Sequence, residues 1–335
     1  MFRLALIGGN DTLSKNILEL LALRGYPKEN VSVFKARVQG TQQVSFGEED
    51  LPLRPLSALN PADFDAAVVT ENDKDGALEI FKLAEAGVKV INATAQLGGE
   101  DGVPMVVGGI NEEAALKAEK NIVSVPHPCV VQLLTALAEI NAKYRIKNIR
   151  LSTYASVDFE GQDGMSELYN ATRRILMNDT AQTKDGLFHK TPAFNVVPQA
   201  GCFIGEETSA EWVYNAHVKQ VLGGKVKVHA NCAVVPAFVG LGIYANVETE
   251  ADIDSDEARD YIKKTKGVLV MDKQEDGGYA SLIEAQGESA VFVSRVRQDM
   301  TVENGISLWV VGDAYKVAAQ NILALVKQIV KKDKK

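Results

Sequence analysis

The stretch Leu6-Ile7-Gly8-Gly9-Asn10-Asp11-Thr12-Leu13-Ser14 decides the fold. An apolar strand, Phe2–Gly8, runs into a glycine pair and then into a helix predicted at Leu13–Arg24. This is the strand–turn–helix layout of a Rossmann-type phosphate turn. Leu13, Ile17, Leu20 and Leu21 recur at helical spacing, so one face of that helix is buried. A turn of this kind wants glycine at its first, fourth and seventh places, where backbone N–H groups and a helix N-terminus meet a pyrophosphate. Here those places hold Gly8, Asp11 and Ser14. Asp11 is a good helix N-cap, and its carboxylate competes for the amides and the space that a phosphate uses. Like charges about 4 Å apart repel by roughly 4 kcal/mol at an effective dielectric near 20. Two readings follow. Asp11, or Asn10 beside it, stands in for the anion, or the carboxylate turns to solvent and a dinucleotide still binds weakly.

Outward from this turn, apolar runs at Val31–Lys35, Ala66–Thr70, Val88–Ala93 and Ile122–Val125 alternate with helical patterns at Gly76–Ala86 and Glu112–Ala118. That alternation predicts a parallel sheet covered by helices. Between the second and third strands, Gly40–Leu56 is polar and holds Pro52 and Pro55, so it is expected to meander along an edge. The second strand ends in Lys35-Ala36-Arg37-Val38-Gln39-Gly40, without an Asp or Glu for a ribose diol. Its two basic residues either favour a nucleotide 2′-phosphate, hence NADP over NAD, or are surface charges.

The pattern changes at Cys129. A helix is predicted at Val130–Ala142, a long strand at Ile146–Val157, and helices at Gln162–Met177 and Ser209–Leu222. Strand-like runs follow at Lys225–Ala237, Gly242–Val247, Val268–Met271, Ala290–Arg297 and Ile306–Val311. A closing helix at Tyr315–Val330 places Ala318, Ile322, Val326 and Ile329 on one face. These elements imply a mixed sheet, different in kind from the first. There is no internal repeat.

The chain's 335 residues are enough for two α/β domains, and its net charge of −8 disfavours a general grip on nucleic acid or anionic lipid. The basic tail Lys331-Lys332-Asp333-Lys334-Lys335 reads as a solvated helix end. No stretch approaches the roughly 18–20 apolar residues that span a bilayer. Cys129, Cys202 and Cys232 are scattered, without metal-site spacing, which fits a reducing cytoplasm and no bound metal.

Ordered landmarks along the chain resemble the aspartate-semialdehyde dehydrogenase family. They include the N-terminal turn, Val103-Pro104-Met105-Val106-Val107, Pro128-Cys129-Val130-Val131-Gln132, Ser152-Thr153-Tyr154 and Gly164-Met165-Ser166-Glu167-Leu168. Ala193-Phe194-Asn195-Val196-Val197-Pro198-Gln199, Val293-Ser294-Arg295-Val296-Arg297-Gln298-Asp299 and Leu308-Trp309-Val310-Val311-Gly312-Asp313 complete the series. The resemblance implies a Rossmann-type domain, residues 1–127 plus 315–335, and a second α/β domain with a mixed sheet used for dimerisation, residues 128–314. It implies NADP as cofactor, faced by Gly8, Thr12, Leu13 and Arg37. It also implies a thiol nucleophile at Cys129, which attacks an aldehyde; hydride then passes to NADP, and phosphate releases the thioester as an acyl phosphate.

The same resemblance shows departures. The family's general base, a His, falls on Leu241; the Arg that clamps the substrate carboxylate falls on Val234; the substrate-orienting Gln falls on Ala155. A phosphate-site Arg falls near Gly98, a Lys on Val213, and the Asn of a late Asp-Asn pair on Ala314. Loss of a general base typically costs about 10²–10⁴-fold in rate. Cys129 opens a helix, where the dipole favours thiolate, but Pro128, Val130 and Val131 surround it with apolar groups that favour neutral thiol. His127 is either a surrogate base for Cys129 or a rigid-turn residue between Pro126 and Pro128. The resulting expectation is a divergent paralogue, similar to the Usg-type proteins, that has lost the family reaction. It would act in the cytoplasm as a dimeric scaffold or as a binding protein for an unknown small molecule. The partner would be a second copy or an active relative. The alternative is an active NADP-dependent aldehyde or semialdehyde dehydrogenase working through Cys129.

Overall fold

The computed structural model describes residues 1–71, 74–94, 97–178 and 186–332. Residues 333–335 of the basic tail lie outside the described residues. The chain divides into two compact units, Met1–Val131 with Tyr315–Lys335, and Gln132–Ala314. The division falls within a helix, Pro128–Ala136, rather than at residue 127 as the sequence implied.

The first unit is built on seven strands: β1 Leu4–Ile7, β2 Val31–Lys35, β3 Gln43–Phe46, β4 Glu49–Pro55, β5 Ala66–Val69, β6 Lys89–Asn92 and β7 Ile122–Ser124. Their order is β3-β4-β2-β1-β5-β6-β7, parallel except for the β3–β4 hairpin. β1 and β5 are buried at every residue, as central strands covered on both faces must be. Helices α1 Thr12–Leu23, α2 Lys74–Glu85 and α3 Glu113–Leu116 accompany them. Ile80 and Leu83 of α2 pack with Ile7, Val69 and Val90 in the core.

The expected meander at Gly40–Leu56 is instead a hairpin that extends the sheet. Val44, Phe46, Leu51 and Leu53 alternate inward while Gln43, Ser45, Pro52 and Arg54 face out. The period-two pattern is present but diluted by its outward polar residues and prolines, which an edge tolerates.

In the second unit, α4 Pro128–Ala136 and α5 Ala138–Tyr144 replace the single helix expected at Val130–Ala142. The break falls at Leu137, whose N–H is shared between the Leu133 and Leu134 carbonyls. Strands β8 Ile146–Ala155, β9 Phe203–Ile204, β10 Glu207–Thr208, β11 Lys227–Val234, β12 Leu241–Thr249, β13 Val268–Val270, β14 Val291–Gln298 and β15 Gly305–Gly312 follow. Six of these form a mixed sheet in the order β11-β8-β12-β15-β14-β13. The β11–β8 and β13–β14 pairs are parallel, and the three between them antiparallel. Helices α6 Gly161–Leu176, α7 Ser209–Leu222, α8 Ser255–Lys264 and α9 Leu282–Ala285 complete this unit.

α8 has no counterpart in the sequence reading: only Ala258 and Ile262 are buried on it, so its apolar stripe is one contact wide. Its start is nevertheless well capped, Asp254 accepting the Asp256 and Glu257 N–H groups. The closing helix, α10 Ala314–Lys332, belongs to the first unit from Tyr315 onward. There Asn321 accepts the Gly108 N–H at 2.8 Å and Lys316 pairs with Glu19 at 2.9 Å. Among the described residues no helix is long and apolar enough to cross a membrane, and no cluster of His, Cys, Asp or Glu could hold a metal ion.

Candidate active site

In the first unit, β1 ends at a turn in which Gly8 and Gly9 have φ of 143° and 78°. Such angles favour glycine. Crowding adds to this: a Cβ on Gly8 would lie 2.0 Å from the Thr70 hydroxyl and 2.9 Å from an Asp11 carboxylate oxygen. Asp11 caps α1, Oδ1 accepting the Ser14 N–H at 2.9 Å. Its Oδ2 accepts the Thr70 hydroxyl at 2.8 Å. Ser14 Oγ accepts the Gly9 N–H at 3.1 Å and meets Thr70 Oγ1 at 2.7 Å. The chain Gly9 N–H, Ser14 Oγ, Thr70 Oγ1 and Asp11 carboxylate thus ends on the charged acceptor, the strongest of the set.

Of the two readings for Asp11, the arrangement favours the stand-in for the anion: both carboxylate oxygens are bonded within the turn, although the residue itself is exposed. The carboxylate takes only one of the first helical amides, however. Among the described residues, the Thr12 and Leu13 N–H groups have no protein acceptor. As the first two amides of α1 they are the groups that a diphosphate would meet.

Arg37 lies exposed just beyond β2, and Lys35 is half-buried at the strand's last position. A carboxylate that the sequence reading missed stands beside them. Glu71, immediately past β5, accepts the Ala36 N–H at 3.1 Å. NADP is the cofactor that the family resemblance implies. The Thr12 and Leu13 amides suit a diphosphate, but a carboxylate held on the amide at the end of β2 has the wrong charge for a 2′-phosphate.

Cys129 is fully buried in the first turn of α4. Its N–H donates to His127 Nδ1 at 3.2 Å, and the His127 carbonyl accepts from Val130 and Val131. His127 therefore works as the helix cap, with Nδ1 as acceptor and the neutral imidazole proton on Nε2.

In the second unit, the sheet register brings together three positions that are far apart in sequence. Ala155 at the end of β8 pairs with Val234 at the end of β11 and with Leu241 at the start of β12. Leu241 also pairs with Gly312 at the end of β15. The row is apolar and closed: Val234, Ala155 and Leu241 are 6%, 4% and 0% exposed. The Val234 backbone is bonded to Val197 in both directions, and the Leu241 carbonyl accepts from Gln132 Nε2 at 2.9 Å. Gly98 lies exposed in the first unit and Val213 is half-buried on α7. Glu211, two residues before Val213, closes a capping box with Thr208 and accepts the Cys232 N–H at 3.0 Å.

Beside this row lies a buried acid pair that the sequence reading did not single out. Burial raises the Asp158 carboxyl to about 6, and the charge of Asp313 adds to the rise, against the Ser156 hydroxyl that donates to it. Ser156 directly follows Ala155 and its backbone N–H donates to the Gly240 carbonyl; Asp313 directly follows Gly312 and accepts the Gly287 N–H at 3.2 Å. Elsewhere in the unit, burial pushes the Cys232 thiol up to about 12 and holds His217 down at about 4, so neither group is charged near neutrality.

The structure defines a two-domain α/β protein, one domain carrying a Rossmann-type sheet and the other a mixed sheet. The sequence model of the family described as semialdehyde dehydrogenase, dimerisation domain, matches residues 137–315, more than half of the chain. The aspartate-semialdehyde dehydrogenase of Rickettsia conorii is 29% identical over 332 residues, 98% of each chain. That of Aquifex aeolicus is 28% identical over 336 residues, again 98% of each. The crystal structure of aspartate semialdehyde dehydrogenase II from Vibrio cholerae superposes with a TM-score of 0.91 at 27% identity, covering 99% of both chains. The chain belongs to the semialdehyde dehydrogenase family.

Proposed function

We propose that this chain has set aside the thioester reaction of its family and works as a dimer-forming scaffold or small-molecule-binding member. The observation that carries the reading is the closed row Val234–Ala155–Leu241, in which no side chain can move a proton, orient a substrate through an amide or clamp a carboxylate. The identity of the three positions rests on the family resemblance, and their adjacency in the sheet supports reading them as one site. Apolar replacement of buried charged groups is often neutral or stabilising for the fold, because the desolvation cost disappears with the charge. Cys129 fits the same reading. It is fully buried, and the one nearby histidine nitrogen with a described partner is engaged with its backbone.

A dimer is supported by the family match and by one face of the second sheet. There Tyr154, Tyr244 and Trp309 are only partly covered, with Tyr244 and Trp309 ring centroids 4.8 Å apart. Light scattering on the purified chain should give twice the chain mass; a monomer at micromolar concentration counts against this part of the reading. The alternative, an active NADP-dependent dehydrogenase acting through Cys129, draws on the full-length similarity to chains named as enzymes. A side-by-side assay with L-aspartate semialdehyde, NADP and phosphate decides between them. Turnover below about 10⁻² of an active relative's supports loss of the reaction, and anything above it overturns the proposal.

A further inference from the structure

The end of β2 is where a Rossmann-type sheet meets the adenosine ribose of a dinucleotide, and the charge there separates a free 2′-hydroxyl from a 2′-phosphate. Along the chain this spot reads as basic, Lys35 and Arg37 standing without an acid. In the fold, Glu71 arrives from the end of β5, on the far side of β1, and its Oε2 accepts the Ala36 N–H at 3.1 Å. The backbone that carries this carboxylate is tied down. The Thr70 and Glu71 amides both donate to the Ile7 carbonyl, and the Gly8 amide donates to Phe34, so the three strand ends are tied together around the glycine turn.

Two consequences follow for a nucleotide lying across this edge. The β2-end amide, a ready donor to a phosphate oxygen, is occupied by a carboxylate. That carboxylate is itself an acceptor of the kind that binds ribose hydroxyls and repels a phosphate. The diphosphate end of the site still presents the Thr12 and Leu13 amides. Lys35 and Arg37 oppose the discrimination by attracting anions, but neither residue occupies the backbone donor that Glu71 has taken.

We infer that Glu71 is a specificity residue: the first unit takes adenine dinucleotides with a free 2′-hydroxyl, of the NAD class, in preference to 2′-phosphorylated ones of the NADP class. This goes beyond the loss of the family reaction and is tested by binding alone, so its failure and that of the scaffold reading are distinguishable. The full chain is titrated calorimetrically with NAD and with NADP, and the order is checked by the rise in unfolding temperature that each produces. NAD is expected to bind at least about tenfold more tightly than NADP. Glu71→Gln keeps an acceptor for the Ala36 amide but removes the charge. It should bring the two affinities to within about threefold by tightening NADP and weakening NAD, with the ligand-free unfolding midpoint preserved. Equal or tighter binding of NADP by the unmodified chain overturns the inference. So does an affinity ratio unmoved by Glu71→Gln, and so does the absence of binding by both dinucleotides at millimolar concentration.

Discussion

On the reading proposed above, the two units depart from the family pattern in opposite ways. In the first, the glycine turn stays polar but its groups are turned on one another: Asp11 on Ser14 and Thr70, Ser14 on Gly9. In the second, the positions that the resemblance assigns to base, clamp and orienting amide are filled by Leu241, Val234 and Ala155 and closed to solvent. An internally satisfied polar turn can be reopened by a single substitution that frees amides for a ligand. A refilled apolar row cannot be repaired that way, because any restored polar group arrives in a packed site without partners. On that reading, reversibility is what separates the two units.

The sharpest way to break this contrast is to restore the base. Leu241→His places an imidazole at a fully buried position and should cost about 2–4 kcal/mol in chemical denaturation, with no gain in semialdehyde oxidation. A variant that kept its stability and gained turnover would show the row to be an open site. Next comes Asp158→Asn. A carboxyl held near 6 in the fold but near 3.8 when unfolded binds its proton more tightly in the native state. It therefore takes away stability as pH rises through that window and has its full cost above it. The variant should be stabilised relative to the parent at pH 7 by about 2–3 kcal/mol more than at pH 3, read from urea midpoints at both values. Equal differences at the two pH values would remove Asp158 from the buried pair.

Smaller effects belong to the first unit. Asp11→Gly removes the α1 cap side chain and should cost only a few tenths of a kcal/mol, roughly, while tightening dinucleotide binding severalfold in the same titrations. Sub-micromolar binding by the unmodified chain would instead show the turn to be open already. The last prediction is one of order. Brief iodoacetamide treatment followed by peptide mass analysis should find exposed Cys202 modified first, and buried Cys129 and Cys232 only after unfolding. Early labelling of Cys129 would favour the enzyme reading.

Much of the fold was legible because its strands announce themselves locally. Leu4–Ile7 and Ala66–Val69 are unbroken apolar runs, and α10 carries Ala318, Ile322, Val326 and Ile329 at helical spacing. The hairpin at Gln43–Pro55 and helix α8 were missed because each buries one narrow edge, and their outward residues outnumber the signal. The site was legible only through resemblance: nothing in the spacing of Ala155, Val234 and Leu241 shows that they share one row of a sheet. Glu71 and the Asp158–Asp313 pair were invisible for a stronger reason. Their partners are brought to them by strand order and loop closure, which no local window of sequence contains.

Gly8 carries a wider lesson about motif survival. A methyl group there would collide with the Thr70 hydroxyl whether or not any nucleotide ever arrives. The first glycine of the turn is thus required by crowding between two strand ends, with or without a nucleotide.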